Sequence, residues 1–248
     1  MKIHTPRSKF FLSVLYITVS CYTSLNAQKN PAENYLKQVG NYAEIYNGQM
    51  EENYNTLLYD NLPYYQSSDF TEATLIYRKN YFPHQKVRLD LFREQLILLT
   101  PDERFGIVLN SPCVDKVIMY DKTFRWLNPA KESGLKPGFY IHLFGGKGIQ
   151  LFCKEHYSLQ NNQLTANITH NTRFYWFERS VRYYLFYNNQ YYTVKNKGSF
   201  SNLFPQYKKQ INQFVKTNKL NFKKDNSSES LASLAGYCEE LLTLTSRQ

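Results

Sequence analysis

Asp90 is the carboxylate of this sequence best placed for chemistry. It stands in "KVRLDLF" (86–92), where Val87, Leu89 and Leu91 alternate with Lys86, Arg88 and Asp90. A period of two marks a half-buried strand and puts the acid in mid-strand on the polar side. A carboxylate there can take part in catalysis, or it can pair with Arg88, Arg93 or a lysine. Structural ion pairs perturb such groups just as catalytic sites do. His84, His142, His156 and His170 show no metal-ligand spacing, so only a fold that united distant ones would give them a joint role.

Other chemistries lack their residues. The chain has no GxSxG elbow, HExxH, P-loop or GxGxxG. "GGKG" (145–148) has neither the Ser/Thr nor the following helix of a phosphate loop, and reads as a hairpin turn. Cys113, Cys153 and Cys238 have no CxxC spacing, which argues against zinc or redox work. In an oxidising compartment Cys113 and Cys153, both in strand-like sequence, are the candidate disulfide. Cys238 falls among apolar neighbours in a helical pattern and reads as a small buried hydrophobe. No catalytic, cofactor-binding or metal-binding residue is assigned, and no cofactor is implied.

The compartment is read from the first residues. "MKIHTPRSKFFLSVLYITVSCYTSLNAQ" opens with Lys2, Arg7 and Lys9, runs uncharged from Phe10 to Ala27, and ends in a small residue before a polar stretch. That is the pattern of a secretory signal peptide covering 1–27. Its apolar part, Phe10 to Val19, is too short to span a bilayer. Cleavage after Ala27 is favoured. "ITVSC" offers a second reading, in which Cys21 becomes lipidated and anchors the chain. No second long apolar run follows, so the mature chain is expected to be exported, without a transmembrane helix, in the periplasm or on the outer membrane.

The elements that would position any site are mostly strands. Of the 248 residues, 17% are aromatic and 22 are tyrosines, a residue that packs its ring while its hydroxyl stays wet. Strand patterns recur as "EATLIYR" (72–78), "KVRLDLF", "EQLILLT" (94–100), "RFGIVLN" (104–110), "DKVIMYD" (115–121), "KTFRWL" (122–127), "GFYIHLFG" (138–145) and "IQLFCKEHY" (149–157). A tight turn at Arg93–Glu94 would set Leu91 against Leu96 and Leu89 against Leu98. Neither turn residue favours positive φ, so a longer loop is the alternative. "LNPAKESGLKPG" (127–138) is rich in turn residues and reads as a loop.

The densest ring surface is "RFYWFERSVRYYLFYNNQYYTV" (173–194). Asn188 and Asn189 tolerate left-handed backbone and supply a turn. Folding there pairs Tyr187 with Gln190, Leu185 with Tyr192 and Tyr183 with Val194. The other face carries Phe186 with Tyr191, Tyr184 with Thr193, and Arg182 with Lys195. Cross-strand aromatic pairs stabilise such a hairpin by about 0.2–1 kcal/mol each, so structure accounts for most of the rings. Tyr184, Phe186 and Tyr191, flanked by Arg182 and Lys195, are the candidate ligand-facing set, suited to stacking on sugars. The alternative is that helices cover this face.

Beyond Lys197 the period changes. Tyr207, Ile211, Phe214 and Val215 share one helical face behind Pro205, and Leu231, Leu234, Ala235, Cys238, Leu241 and Leu242 form a second stripe that Ser227 or Ser228 can cap. A short helix near Ala32 to Val39 is weakly signalled. Net charge is +10, falling to +7 when Lys2, Arg7 and Lys9 leave with the signal. Lys195, Lys197, Lys208, Lys209, Lys216, Lys219, Lys223 and Lys224 stand in 195–224 with no Asp or Glu. Such a run suits an anionic partner. Export argues against nucleic acid and for an envelope surface.

"AEIYNGQ", "LPYYQSSDFTEATLIYRKNYFPHQKVRLDLFREQLILL", the aromatic hairpin and "SFSNLFPQYKKQINQFVKTNKLNFKK" together resemble an exported family common in Bacteroidota, with tyrosine-rich strands and a lysine-rich C-terminal helical pair. The pattern departs at Leu89, where the family's tyrosine-aspartate strand would carry tyrosine. The resemblance covers most of the mature chain and brings no catalytic residue with it. The expected architecture is α+β and mainly antiparallel β, a sandwich or strongly curved sheet. An N-terminal segment (28–53) precedes the β domain (54–197), and a C-terminal helical pair (198–248) packs on it. The leading functional expectation is a non-catalytic envelope accessory or protein-interaction protein. A glycan-binding module using the aromatic face comes second and a hydrolase third.

Overall fold

A computed structural model describes residues 31–40, 43–161, 175–223 and 227–245. The signal segment, Cys21, His170 and Lys224 lie outside these. Strands are β1 (Gln49–Met50), β2 (Thr71–Tyr77), β3 (Asn80–Asp90), β4 (Gln95–Leu99), β5 (Gly106–Val108), β6 (Val114–Met119), β7 (Lys122–Leu127), β8 (Gly138–Gly145), β9 (Ile149–Asn161), β10 (Tyr175–Tyr187) and β11 (Gln190–Val194). They form one antiparallel sheet in the order β1-β5-β4-β3-β2-β6-β7-β8-β9-β10-β11. The helices are α1 (Pro31–Val39), α2 (Lys197–Leu203), α3 (Lys208–Thr217) and α4 (Ser227–Thr245).

Tight turns drive this meander. Arg78–Lys79, Tyr120–Asp121 and Asn188–Asn189 each hold two consecutive residues at positive φ, between +48° and +63°. That geometry matches the twist of the strands on either side. The asparagine pair advertises it most plainly in sequence, and its hairpin register is the expected one from Tyr187 opposite Gln190 to Tyr183 opposite Val194. The β3–β4 hairpin differs from the tight-turn expectation. Leu89 faces Leu96 and Asp90 faces Gln95, so the loop is four residues, 91–94. The shift is two residues, which leaves every side chain on its expected face. The longer loop needs one positive φ, at Glu94, and two of its N–H groups are bound by Asp90.

One face of the sheet is continuously apolar. Leu75, Val87, Leu89, Leu96, Leu98, Val117, Phe124, Phe139 and Ile141 pack with Cys153, while α1 lies against the β3 end. Further along, Ile149, Leu151, Leu185 and Val194 pack under Phe200, Phe204, Ile211, Leu231, Leu234, Ala235 and Cys238 of the helical region. Leu143 and Tyr183 touch both groups. Register shifts between Ala73 and Leu75, Ile76 and Tyr77, and His142 and Phe144 bend the strands, as bulges do. Pro83 and His84 fill the first bulge, a place where a strand tolerates proline. The curl brings the β3–β4 loop to β9, although β2, β6, β7 and β8 lie between those strands.

The reverse face holds a smaller cluster of Leu135, Tyr140 and Phe152, with Leu127, Tyr184, Phe186 and Tyr191 against it. Helices therefore cover the Leu185 and Val194 face, not the face of Tyr184, Phe186 and Tyr191. The alternation explains the choice. Odd-numbered positions of β9 and β10 carry Leu151, Cys153 and Leu185, and the leucine stripe of α4 needs that surface.

Candidate functional site

Three polar clusters stand out in the structure, two of them under the chain from Glu51 to Tyr65 and the third where the β3–β4 loop meets β8 and β9. The first is built on Asp90, which is 1% exposed. Its Oδ1 accepts the backbone N–H groups of Phe92 (2.9 Å) and Arg93 (2.8 Å), and its Oδ2 accepts the Tyr54 hydroxyl (2.7 Å). Burial raises its pKa, and these bonds oppose the rise. Tyr54 is pushed above its ordinary value by burial and by the Asp90 charge. The ring of Tyr54 meets Tyr59, Tyr64 and Phe177 edge-on and carries the Arg93 guanidinium 4.2 Å from its centroid. The sequence placed Asp90 on a polar face beside an arginine or lysine partner. Instead the 52–65 segment lies over that face, and a tyrosine and two amides hold the acid.

Arg88 builds the second cluster. Its guanidinium lies between the rings of Tyr64 (4.7 Å) and Phe70 (4.5 Å). Nε binds Glu51 Oε1 (3.0 Å), Nη1 the Ser68 carbonyl (2.8 Å) and Nη2 the Asn53 side chain (2.9 Å), with a further bond to Glu51 Oε2. The Tyr64 hydroxyl donates to Glu51 Oε1 at 2.8 Å. An open depression of ≈ 320 Å³ lies beside Arg88, at the small end of the range of ligand pockets, about 300–1,000 Å³. Gly106 makes this pairing possible, because a Cβ there would stand 2.6 Å from Glu51 Oε2.

The third cluster is Glu94 with Lys154. Lys154 Nζ lies 2.6 Å from Glu94 Oε1 and donates to the Phe139 carbonyl at 2.9 Å. Glu94 Oε2 accepts the Phe139 N–H at 2.8 Å, and the ammonium sits 4.8 Å from the Tyr140 ring centroid. His156 Nδ1 stands 3.8 Å from Glu94 Oε1. Burial dominates on both sides of the pair, raising Glu94 and lowering Lys154 against their mutual attraction. Gly138 leaves the room, since a Cβ would come within 2.6 Å of both charged ends. Sequence reasoning passed over Glu51, Arg88, Glu94 and Lys154 as a set. The usable signal was Lys154, a charge inside the apolar run "IQLFCKEHY".

The candidate ligand face is half-realised. Tyr184, Phe186 and Tyr191 are half-buried, while Arg182 and Lys195 are exposed. Phe186 and Tyr191 meet at 4.8 Å and 49°, and Tyr184 stands edge-on to Tyr140 at 6.1 Å. The rings lock into one another instead of lying coplanar as a stacking platform. A groove of ≈ 450 Å³ beside them is lined by Val181, Arg182, Tyr183, Tyr184, Thr193, Val194 and Lys195. Phe186 and Tyr191 are not part of it.

Cys113, Cys153 and Cys238 are free thiols, so the Cys113–Cys153 bridge is not made. Cys113 closes the short turn ahead of β6, and Cys153 faces the core from mid-β9. Cys238 is buried among the α4 leucines, as its pattern implied. Among the described residues no group of three His, Cys, Asp or Glu could hold a metal ion, and no helix is long and apolar enough to cross a membrane. Lys195, Lys197, Lys208, Lys209, Lys216, Lys219 and Lys223 are all exposed. No ion pair engages them among the described residues. No protein-family model, curated protein or solved structure matches the chain.

Proposed function

We propose that this chain is an exported, non-catalytic accessory protein of the cell envelope that docks on an anionic envelope surface through its lysine-rich C-terminal helices. The observation that carries the reading is the unpaired, acid-free run of exposed lysines from Lys195 to Lys223. Such a surface attracts polyanions and is screened by salt. The signal-like N-terminus and the resemblance to an exported Bacteroidota family favour an envelope over nucleic acid as the source of that charge. The buried carboxylates support the non-catalytic half of the reading. Asp90, Glu51 and Glu94 each spend their oxygens on fixed donors, and among the described residues Asp90 is held by the Tyr54 hydroxyl and two backbone amides, with no histidine in contact.

A glycan-binding role is the second reading, and the uncovered face of Tyr184, Phe186 and Tyr191 favours it. Its weakness is ring geometry, since a tilted, half-buried set offers little flat surface to a sugar. Cosedimentation with vesicles tests the first reading. Binding to phosphatidylglycerol-containing vesicles that disappears in pure phosphatidylcholine, in high salt, and in a Lys208→Glu, Lys209→Glu, Lys216→Glu variant is expected. Equal recovery by the variant and the parent would overturn it.

A further inference from the structure

The edge of β10 is covered at both ends and open between them. Tyr175 uses its outward N–H and C=O on Leu58 and Asp60, a contact in which the 58–60 segment runs parallel to β10. Phe177 gives its outward pair to the Asn61 side chain, with bonds of 2.7 and 2.8 Å. Outward groups alternate along a strand, so the next residues in phase are Arg179, Val181 and Tyr183. Tyr183 pairs with Val194, the last residue of β11. The outward N–H and C=O groups of Arg179 and Val181 have no partner among the described residues.

Every residue from Glu178 to Arg182 is exposed. The window opens onto the ≈ 450 Å³ groove at the end of β11, which presents Val181, 37% exposed, as an apolar contact and Arg182 and Lys195 as cations with no ion pair among the described residues. Arg179 is held by Glu155 at 2.8 Å, and Glu178 is the carboxylate at the far end of the window. The cationic end is therefore the groove end. Proteins usually guard such an edge; here the neighbouring stretches are guarded and this one is not.

We propose that the 178–182 edge is a docking slot for an extended acidic peptide segment of a partner protein, which adds as a short strand. Its backbone pairs with Arg179 and Val181, and its carboxylates meet Arg182 and Lys195. Strand addition of this kind takes affinity from main-chain bonds and specificity from flanking side chains. Asn61 shows that this edge accepts an amide in the same phase. The slot uses Lys195, which precedes the helices, and none of the helical lysines, so it stands or falls separately from vesicle binding.

The test is residue-resolved amide exchange with a short capped peptide alternating glutamate and valine as the probe. Saturable slowing at Arg179 and Val181, about tenfold as free edge amides gain a carbonyl partner, is expected. Val181→Pro removes the outward donor at an edge position, where proline is tolerated. It should abolish the slowing at Arg179 while keeping the parent's melting temperature and vesicle binding. Should that variant fail to fold, Arg182→Glu with Lys195→Glu provides the second arm and should weaken the glutamate peptide while favouring one built on lysine. No slowing with the probe, slowing at Tyr191 and Thr193 on the outer edge of β11, or protection that depends on protein concentration without peptide would each overturn the proposal. The last result would identify a second copy of the chain as the occupant.

Discussion

Removing the ammonium of Lys154 should expose how much of this fold depends on one buried pair. The side chains of Lys154 and Glu94 are 10% and 15% exposed, and their contact is 2.6 Å. In Lys154→Met the Glu94 carboxylate keeps a single donor, the Phe139 N–H. Leaving a buried charge without its partner costs about 3–5 kcal/mol. Glu94→Gln strands the ammonium instead, with the Phe139 carbonyl and the Tyr140 ring as its remaining partners. Its cost should fall at or just below the lower end of the same range, about 3 kcal/mol. The double variant carries no unmatched charge and should return to within about 1–2 kcal/mol of the parent, so the two losses are strongly non-additive.

Urea unfolding followed by tryptophan fluorescence reads this directly, because Trp126 packs against Phe139 at 5.1 Å. The pH dependence gives a second check. Glu94 already sits above its ordinary 4.5 through burial, and Lys154 is the largest of the groups that oppose the rise, ahead of the Phe139 N–H and His156. A carboxylate raised in the folded state adds stability that is fully present below its unfolded pKa and is lost as pH rises through its folded one. Lys154→Met should therefore be least destabilised near pH 4.5 and progressively more so towards neutrality. Additive single losses, or a Lys154→Met variant whose deficit does not grow with pH, would refute the reasoning.

Tyr54→Phe keeps the ring contacts with Tyr59, Tyr64 and Phe177 but takes a donor from buried Asp90, and should cost about 1–3 kcal/mol in the same urea assay. Asp90 should titrate still higher in that variant, because the lost bond is one of those that hold it down. Thiol labelling should separate the cysteines: burial pushes Cys153 and Cys238 up to about 12, so in the folded chain at neutral pH Cys113 labels far faster than either. Mass mapping after a brief pulse, with a denatured control in which all three react, checks it.

The aromatic hairpin was legible from Tyr187–Gln190 to Tyr183–Val194, because Asn188–Asn189 announces its own backbone geometry. The expected Arg182–Lys195 pair lies beyond the ladder, and the alternation left open which face the helices would cover. Also legible was the α4 stripe from Leu231 to Leu242, whose period names its buried face without reference to any partner. Arg78–Lys79 makes a comparable turn without a turn residue and Tyr120–Asp121 with only Asp121, since the pairing of the strands they join compensates the strain. The candidate site was legible only in part. Asp90 stood out by its place in a strand, but its partner Tyr54 is 36 positions away. Glu94 and Lys154 are 60 apart.

Local pattern, then, determined which residues form strands and helices and which side of each is apolar, because alternation and turn chemistry act over a few neighbouring residues. Tertiary structure decided which charges meet, which face the helices cover, and where an edge is left open. Those outcomes depend on how far an eleven-stranded sheet curls. Curl is the accumulated twist and bulging of every strand together, and no short stretch of sequence carries it.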